Sequence, residues 1–261
     1  MVARLVVVGG GKMGEALVAG LLAAEWAAPE EIVIAEAFGP RRRELSTAAG
    51  VAGVTVCEAP AGAPGAAGGV IAVKPGDVEV ACRALAGAGV TRVLSIAAGV
   101  SLARLEEWLG AGVAVVRAMP NTAALIGAGA AAIAPGTGAG EDDLAWAEEI
   151  LQAVGTVVRV GESLLDAVTG LSGSGPAYVF LVAEALIEAG VLVGLPRPVS
   201  QQLAIQTLLG SARLLAESGQ GPEALRAAVT SPGGTTAAGL RALEAAALRS
   251  AFLDAVVAAT E

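Results

Sequence analysis

Short apolar runs and longer alanine-rich segments alternate along the first 160 residues of the chain. The short runs are rich in Val and Ile and are almost continuously hydrophobic, which is typical of parallel strands covered on both faces. We expect seven strands, at residues 4–8, 32–35, 69–73, 93–96, 113–116, 130–133 and 157–160. Helical patterns such as those at 13–24 and 143–153 lie between them. Strands that alternate with helices predict right-handed βαβ units and a doubly wound sheet.

The strand pattern ends after residue 160, and only helical patterns follow. They lie at residues 166–169, 177–189, 200–218, 222–229 and 236–259. We therefore predict two domains, an α/β domain at residues 1–160 and an all-α domain at residues 161–261. Several of the later helices carry Leu, Val and Ala on every side, a pattern typical of buried helices. Since a domain of about 100 residues cannot bury five such helices alone, we expect a homodimer joined through the all-α domain.

Composition and charge exclude several classes of protein. Hydrophobic residues make up 55% of the 261 residues, which excludes a disordered chain. The net charge is −9 and the longest basic run is Arg41-Arg42-Arg43, so we expect no nucleic-acid partner. Histidine is absent, which excludes a Ser-His-Asp triad and a histidine zinc site. Cys57 and Cys82 do not have the spacing of metal ligands, and we expect no metal site.

No segment predicts export or membrane insertion. The apolar run before Gly9 is shorter than the hydrophobic region of a signal peptide. Residues 178–195 form the most lipid-like stretch, but Glu184 and Glu188 within it would be costly in a membrane. We expect a cytoplasmic protein with no membrane partner.

Two glycine-rich turns, each opening a helical pattern, are the main candidates for ligand binding. The first directly follows the first predicted strand and reads Gly9-Gly10-Gly11-Lys12-Met13-Gly14. In the dinucleotide-binding motif, Gly9 would allow a tight turn, Gly11 a close approach to a pyrophosphate, and Gly14 close packing of helix on strand. The turn predicts a dinucleotide site, with a purely structural glycine turn as the alternative. A Walker motif is excluded, because Met13 stands where that motif has Ser or Thr.

Charged positions near this turn bear on the choice of dinucleotide. Glu36, at the end of the second predicted strand, could hold the ribose hydroxyls and favour NAD. The arginines at 41–43 could instead neutralise the 2′-phosphate of NADP, and ordinary surface charges are a third interpretation. Lys74 follows the strand at 69–73, where open α/β sheets place ligands, so we interpret it as a cofactor contact.

The second turn reads Ser231-Pro232-Gly233-Gly234-Thr235-Thr236. Its hydroxyl and backbone N–H groups, at the start of a helix, could bind an anion. No phosphate-binding motif has this form, which favours a small carboxylate as the ligand. An ordinary capped helix is the alternative.

A dinucleotide and a small acid together indicate hydride transfer. Reduction of a ketone requires a positioned proton donor, usually His, Tyr or Lys, and the only tyrosine, Tyr178, lies in an apolar helix. An imine is readily protonated in water and then accepts a hydride. A hydroxyl that holds the nitrogen, such as that of Thr236, would suffice alongside orientation. The lack of histidine therefore favours an imine substrate over a ketone.

Five segments give the chain a specific resemblance to a known family. They are the stretch at 166–178, Gly194-Leu195-Pro196, the turn at 231–236, Ala72-Val73-Lys74-Pro75, and Arg117-Ala118-Met119-Pro120-Asn121-Thr122. The chain resembles Δ1-pyrroline-5-carboxylate reductase over essentially its whole length. The resemblance implies a Rossmann-type domain followed by a helical dimerisation domain, with dimers that can assemble to a decamer. It also implies the last step of proline synthesis, in which NADPH, or NADH, reduces 1-pyrroline-5-carboxylate to L-proline.

The resemblance also implies roles for individual residues. Those that line the cofactor site are Val8, Gly9, Gly10, Gly11, Lys12, Met13, Ala72, Val73, Lys74, Pro75, Ile96, Ala97 and Ala98, with Met119 and Asn121 near the nicotinamide. Gly14 and Glu36 are also predicted to contact the cofactor, but the basis for these two residues is the dinucleotide motif alone.

For the substrate, the resemblance implies that Ser231 and the amides of Gly234 and Thr235 bind the carboxylate, and that the Thr236 hydroxyl faces the ring nitrogen. In this family the substrate turn comes from the partner subunit. The chain departs from the family near its C-terminal end, where Ala247-Leu248-Arg249 replaces a more frequent Gly-Phe-Arg.

Two other functions stay open at this point. One is a dinucleotide sensor that has lost its chemistry, against which the intact second turn argues. The other is a reductase for a different imine or keto acid, which only a comparison of substrates can separate.

Overall fold

The computed structural model describes residues 3–63 and 65–260. The chain forms two compact units that divide between Gly173 and Ser174. The domain boundary expected between residues 160 and 161 stays a prediction. Its outer limits, at residues 1 and 261, lie outside the described residues, as does residue 64 in the stretch before the fourth strand.

Within the described residues, the N-terminal unit contains eight strands and six α-helices. The strands β1 to β8 are Leu5–Val8, Ile32–Ala35, Thr55–Cys57, Gly68–Ile71, Arg92–Ser95, Ala114–Met119, Gly129–Pro135 and Gly155–Arg159. The helices α1 to α6 are Lys12–Ala23, Gly39–Leu45, Val78–Ala88, Leu102–Leu109, Glu141–Gln152 and Leu165–Val168. A π-helical turn, Thr169–Gly173, follows α6.

The strands form one sheet in the order β3-β2-β1-β4-β5-β6-β7-β8. The first six are parallel, and their order is that of a dinucleotide-binding Rossmann sheet. Helices cover both faces, with α3 and α4 packed on one side and α1 and α5 on the other. The predicted α/β fold class is therefore confirmed.

Two details of the predicted sheet are wrong. The sequence pattern misses β3, because this edge strand has three residues and none of them is buried. The pattern also predicts a parallel strand at 130–133, whereas β7 runs antiparallel to β6. The predicted strands leave room for a helical crossover, but β6 continues to Met119 and β7 begins at Gly129. The connection is then shorter than the dozen or so residues that a parallel crossover requires.

Two adjacent glycines bring the covering helices close to the middle of the sheet. A Cβ atom on Gly68 would lie 2.5 Å from the Trp146 ring, and one on Gly69 would lie 2.8 Å from the Leu85 side chain. Each large side chain thus packs into the space that a missing side chain leaves in β4. The helices are seated tightly beside β1 and β4, the two strands that lead into the predicted cofactor turns.

The C-terminal unit contains five helices among its described residues. The helices α7 to α11 are Gly175–Leu192, Arg197–Glu217, Pro222–Ala228, Thr235–Ala245 and Leu248–Ala258. In α8, the Ser200 hydroxyl donates a hydrogen bond to the Ile187 carbonyl of α7 (2.7 Å). Gly190 makes this close approach possible, because a Cβ there would overlap the Ser200 side chain. The predicted all-α character of this region is confirmed.

One predicted helix, at 236–259, is in fact two. The break lies between α10 and α11, where Ala247 has a left-handed backbone with φ of +55°. No Gly or Pro marks this position, so the helical periodicity alone predicts a continuous helix.

The C-terminal unit leaves most of its apolar surface exposed in the single chain. Of its described residues only Ser200 and Ala204 are buried. Phe180, Leu192 and Leu253 are 64%, 87% and 68% exposed. By length and composition alone, the helical stretch Glu162–Leu192 could also cross a membrane, and none of its most apolar part is buried in the chain.

Candidate active site

The predicted cofactor residues lie at the carboxyl edge of the sheet. Val8 ends β1, Glu36 directly follows β2, and Met119 ends β6. Residues 72–75 follow β4 and residues 96–98 follow β5. These five strands are parallel neighbours, so their carboxyl ends lie side by side. The strand order reverses between β1 and β4, which is the position where open α/β sheets bind ligands.

The first glycine turn has the geometry that its sequence predicts. Gly9 has a φ of +105°, a conformation that favours glycine, and its N–H donates to the Ala35 carbonyl (2.8 Å). A Cβ on Gly9 would lie 2.5 Å from the Ala72 carbonyl oxygen, and one on Gly14 would overlap the Gly9 carbonyl oxygen. Both positions are therefore restricted to glycine by the protein's own backbone.

Gly11 differs from its neighbours, because no heavy atom lies within 4 Å of the place where its Cβ would stand. It is the residue before α1, and no side chain caps that helix. The first N–H groups of a helix have no acceptor within the helix, and they carry its positive dipole end. Open space above such amides fits a dinucleotide pyrophosphate. Lys12, exposed at the first position of α1, adds a positive charge.

A cavity of about 680 Å³ opens beside this turn. Its size lies in the usual range for small-molecule sites, about 300 to 1,000 Å³. The residues that line it are Val8, Gly9, Gly11, Ala35, Glu36, Ala37, Phe38, Glu58, Ala59, Pro60, Ala72, Val73, Lys74, Asp77, Val80, Ala81 and Ala84. Seven of the predicted cofactor residues are thus brought together around one cavity, which is otherwise mainly apolar.

Glu36 is held in this cavity by two backbone amides. Its Oε2 accepts a hydrogen bond from the Gly10 N–H (2.8 Å), and its Oε1 accepts one from the Phe38 N–H (2.8 Å). The carboxylate therefore links the end of β2 to the glycine turn after β1. A carboxylate has about four acceptor positions, so each oxygen can accept a further hydrogen bond from a ligand.

The arginines behind Glu36 are bound to the protein itself. Arg41 donates to the Gly10 carbonyl (2.8 Å) and to the Glu44 carboxylate (2.9 Å), and it pairs with Glu15. Hydrogen bonds to Glu44 and Glu15 raise the pKa of the Arg41 guanidinium. Arg42 is bound in a similar way, to backbone carbonyl groups at 36 and 37 (both 2.7 Å) and to a carboxylate at 58 (3.6 Å).

The other predicted cofactor residues do not line the cavity. Gly10, Met13 and Gly14 belong to the turn and the start of α1, while Pro75 starts the short 3-10 helix after β4. Ile96, Ala97 and Ala98 follow β5, where the Ile96 N–H donates to the Ile71 carbonyl (3.0 Å). All of them still lie near the carboxyl edge, so a cofactor role for them stays a prediction.

The Asn121 side chain forms hydrogen bonds with two other segments of the N-terminal unit. Its Nδ2 donates to the Ser172 carbonyl (3.0 Å), and its Oδ1 accepts from the Ala130 N–H (3.2 Å). The side chain therefore ties the turn after β6 to the π-helical turn and to β7. Met119 lies in the same place, because a Cβ on Gly173 would stand 2.6 Å from its methyl group. A contact of either residue with a nicotinamide stays a prediction.

The predicted substrate residues lie together in the C-terminal unit. The turn is closed by a hydrogen bond from the Gly234 N–H to the Ser231 carbonyl (3.0 Å), and Gly233 has a φ of +68°. Gly234 precedes α10, and no side chain caps that helix. Thr235 and Thr236 are exposed at its first turn. Exposed hydroxyl groups and uncapped amides form an arrangement that suits a carboxylate.

The sequence pattern misses ten of the residues that line the cavity, among them Phe38, Glu58, Asp77 and Val80. Glu58 directly follows β3, so recognition of that strand would have placed it at the carboxyl edge. Phe38 and Val80 are 64% and 72% exposed, and both contribute apolar surface to the cavity. In residues 3–63 and 65–260, no group of three His, Cys, Asp or Glu side chains could hold a metal ion.

Comparisons with known proteins agree with this geometry. A family model described as pyrroline-5-carboxylate reductase dimerisation matches residues 162–261, and one described as NADP oxidoreductase, coenzyme F420-dependent, matches residues 4–99. The pyrroline-5-carboxylate reductase of Synechocystis sp. is 47% identical, covering 98% of this chain and 95% of the relative. That of Methanosarcina acetivorans is 43% identical, covering 97% and 94%.

Solved structures give the same result. The chain matches a pyrroline-5-carboxylate reductase from Coxiella burnetii with a TM-score of 0.92 and 35% identity, over 100% of this chain and 97% of that one. It matches the Plasmodium falciparum pyrroline carboxylate reductase, solved with NADP bound, with a TM-score of 0.83 and 29% identity, over 99% and 95%.

These likenesses extend to both units of the molecule. The dimerisation model covers the helical region whose apolar side chains a single chain leaves exposed, so the protein is a homo-oligomer. The dinucleotide turn and the reductase relatives make it an NAD(P)H-dependent oxidoreductase. With curated relatives more than 40% identical over nearly its whole length, the chain belongs to the pyrroline-5-carboxylate reductase family.

Proposed function

We propose that this protein reduces the C=N bond of 1-pyrroline-5-carboxylate to give L-proline, the last step of proline biosynthesis, with NADPH or NADH as the donor. The observation that carries the proposal is the presence of two uncapped helix N-termini in a chain with reductase relatives throughout its length. One follows the dinucleotide turn, and the other follows the hydroxyl-rich turn at 231–236.

The N-terminal unit holds the cofactor in this proposal. When bound, the reduced nicotinamide supplies a hydride to the imine carbon. The amides at the start of α1 bind the pyrophosphate, and Gly11 leaves the space for it. Residues 72–75 and 96–98 line the site along the carboxyl edge. Met119 and Asn121 lie near the nicotinamide, with Asn121 acting through the backbone that it holds in place.

The C-terminal unit holds the substrate. Ser231 and the amides of Gly234 and Thr235 bind the carboxylate, and the Thr236 hydroxyl hydrogen-bonds to the ring nitrogen. That nitrogen takes its proton from water, and the hydride adds to the carbon, so the C=N bond becomes a C–N bond with one new N–H. No histidine is needed, because an imine is protonated more readily than a ketone. The residues therefore contribute mainly binding and orientation.

Assembly follows from the same proposal. The helical unit forms a homodimer, and the turn at 231–236 of one subunit completes the site of its partner. Association of dimers to a decamer and a cytoplasmic location are further expectations. Light scattering coupled to gel filtration tests the first, and fractionation of cells tests the second.

The role of Thr236 gives the direct test of the reaction. We expect Thr236→Ala to lower kcat with 1-pyrroline-5-carboxylate by roughly a hundredfold, because the ring nitrogen loses its hydrogen-bonding partner. Thr236→Ser, which keeps the hydroxyl, should retain most of the activity. The loss of nicotinamide absorbance measures turnover, and titration calorimetry measures cofactor affinity, which neither variant should change.

Equal turnover of wild type and Thr236→Ala would contradict the assigned role. Wild-type protein that binds the dinucleotide but reduces a different cyclic imine faster would move the substrate assignment to that imine. A protein that binds the dinucleotide and reduces no imine would be the sensor considered above.

A further inference from the structure

Glu36 is fixed at the place where the cavity meets the end of β2. Both of its carboxylate oxygens accept backbone N–H groups, one from the glycine turn and one from Phe38. Because these two bonds hold both carboxylate oxygens, the side chain cannot turn away from a ligand without leaving two amides unpaired. In a dinucleotide site, a carboxylate at the end of the second strand reaches the hydroxyl groups of the adenosine ribose.

The cavity around Glu36 is acidic. Among its lining residues, three carboxylates, Glu36, Glu58 and Asp77, face a single ammonium, that of Lys74. A 2′-phosphate on the ribose would add about two negative charges next to Glu36 at neutral pH. Placing like charges side by side in a partly closed site weakens binding.

The arginines that could offset this repulsion are already engaged. Arg41 forms ion pairs with Glu15 and Glu44, and its Nε donates a hydrogen bond to the Gly10 carbonyl. Arg42 donates a hydrogen bond to the backbone carbonyl of Glu36 and forms an ion pair with the Glu58 carboxylate. These carboxylates already offset much of the positive charge of the two guanidinium groups, which weakens their attraction for a phosphate.

We propose that this protein prefers NADH to NADPH, and that Glu36 is the residue that sets the preference. The inference rests on the proposed dinucleotide site and goes beyond it, because it names the cofactor. Glu36 accepts a ribose hydroxyl of NADH, and its fixed negative charge disfavours the 2′-phosphate of NADPH. Glu58 adds to the repulsion from the side of β3.

Binding to the intact wild-type protein tests the preference without any turnover. Titration calorimetry with NADH and NADPH, and separately with 5′-ADP and 2′,5′-ADP, isolates the effect of the 2′-phosphate. We expect the Kd of NADH to be lower than that of NADPH by about tenfold or more. The Kd of 5′-ADP should likewise be lower than that of 2′,5′-ADP.

Two variants and a matched control test which residue sets the cofactor preference. Glu36→Gln removes the charge at nearly the same shape, and we expect it to reduce the NADH-to-NADPH affinity ratio about tenfold. Glu58→Gln, which holds no backbone amide, should change the ratio in the same direction by a smaller factor. Glu79→Gln is the matched control, because Glu79 pairs with Arg83 outside the cavity and its loss should leave the ratio unchanged.

The outcomes separate the two proposals. Wild-type protein that binds NADPH as tightly as NADH overturns the preference while leaving the reductase proposal intact. Wild-type protein that binds neither overturns the dinucleotide site itself. If NADH is preferred but the ratio is the same in Glu36→Gln, the assignment to Glu36 is wrong. Should Glu36→Gln fail to fold, Glu58→Gln and the ADP pair still decide the result.

Discussion

Gly11 and Gly14 belong to one turn but have opposite surroundings. Gly14 packs so closely on the Gly9 carbonyl oxygen that a Cβ would overlap it, whereas Gly11 faces open space. Gly14 is thus limited to glycine by the fold, whereas at Gly11 only the proposed ligand would limit the side chain. Such a pair separates the contribution of a glycine to stability from its contribution to binding.

We expect Gly14→Ala to lower the free energy of unfolding by about 1 to 3 kcal/mol, because the added methyl group forces the backbone to shift. Gly11→Ala should change stability by less than about 0.5 kcal/mol, yet weaken dinucleotide binding by roughly tenfold or more, because its methyl occupies the approach to the helix amides. Urea unfolding and titration calorimetry measure the two effects.

Gly87→Ala is the control for this pair. Gly87 lies in α3, also with no heavy atom within 4 Å of its Cβ position, so its substitution should leave dinucleotide affinity unchanged and raise the free energy of unfolding by about 0.5 to 1 kcal/mol, as alanine does within a helix. Normal dinucleotide affinity in Gly11→Ala would show that the pyrophosphate does not lie over this turn.

A residue's role in the site can be predicted when the residues that define it are close in sequence, and not when they are far apart along the chain. The roles of Gly9 and Gly14 are local, since a strand, a turn and a helix define them, and the sequence motif predicts both. The restraint on Glu36 depends on amides at 10 and 38, and the engagement of the arginines on partners as far away as Glu15 and Glu58. The sequence therefore leaves the NAD and NADP interpretations equally open, and only the folded contacts favour one.

At the scale of elements, α10 and α11 meet at a strained residue. Ala247 has φ of +55° and ψ of +36°, a left-handed conformation that costs an L-residue about 1 kcal/mol or more relative to glycine. The chain keeps the break between the helices but lacks the residue best suited to it.

We expect Ala247→Gly to raise the free energy of unfolding by about 0.5 to 1 kcal/mol, because the relief of strain exceeds the added freedom of the unfolded chain. Ala246→Gly is the matched control. Its φ is −82°, which any residue adopts, so the same change there should destabilise the protein. Urea unfolding at one protein concentration compares them, and equal destabilisation of both variants would contradict the strain.

The elements that sequence patterns predict well are the long or strongly apolar ones. Strands β1 and β2 and the helices α1, α5 and α8 are found within a few residues of their predicted positions. The pattern fails at β3 and at Ala247, because three half-exposed residues carry too little hydrophobic signal and an alanine pair carries no signal of a break. The direction of β7 depends on where β6 ends, and strand ends are the part that periodicity defines least.

At the scale of the whole molecule, the helical unit is incomplete as a single chain. Its exposed apolar side chains, such as Phe180 and Leu181, are far more numerous than its two buried residues. Association buries this surface, and the proposed exchange of the turn at 231–236 makes the association a condition for activity as well as for stability.

Mixing two inactive variants tests that exchange. Gly11→Asp places a carboxylate where the pyrophosphate is expected, and Thr236→Ala removes the substrate hydroxyl. If each site combines the first turn of one subunit with the second turn of its partner, co-expression in equal amounts should restore about a quarter of wild-type turnover, since half of the dimers then carry one intact site. Each variant alone should have about a hundredth of wild-type turnover or less, and a mixture that is no more active would mean that each chain builds its own site.

The arginines held behind Glu36 have a consequence for the evolution of this enzyme. A change of preferred cofactor usually requires both the loss of an acid and the gain of a base. Here the bases already stand at the pocket, with Arg42 bound to Glu58 and to the backbone next to Glu36. Replacing Glu36 alone would remove one repulsive carboxylate but leave Arg41 paired with Glu15 and Glu44, and Arg42 paired with Glu58. A lineage carrying this pocket would therefore pass from one nicotinamide pool to the other through an enzyme that accepts both, and a second substitution, at Glu58, would release Arg42 to complete the change.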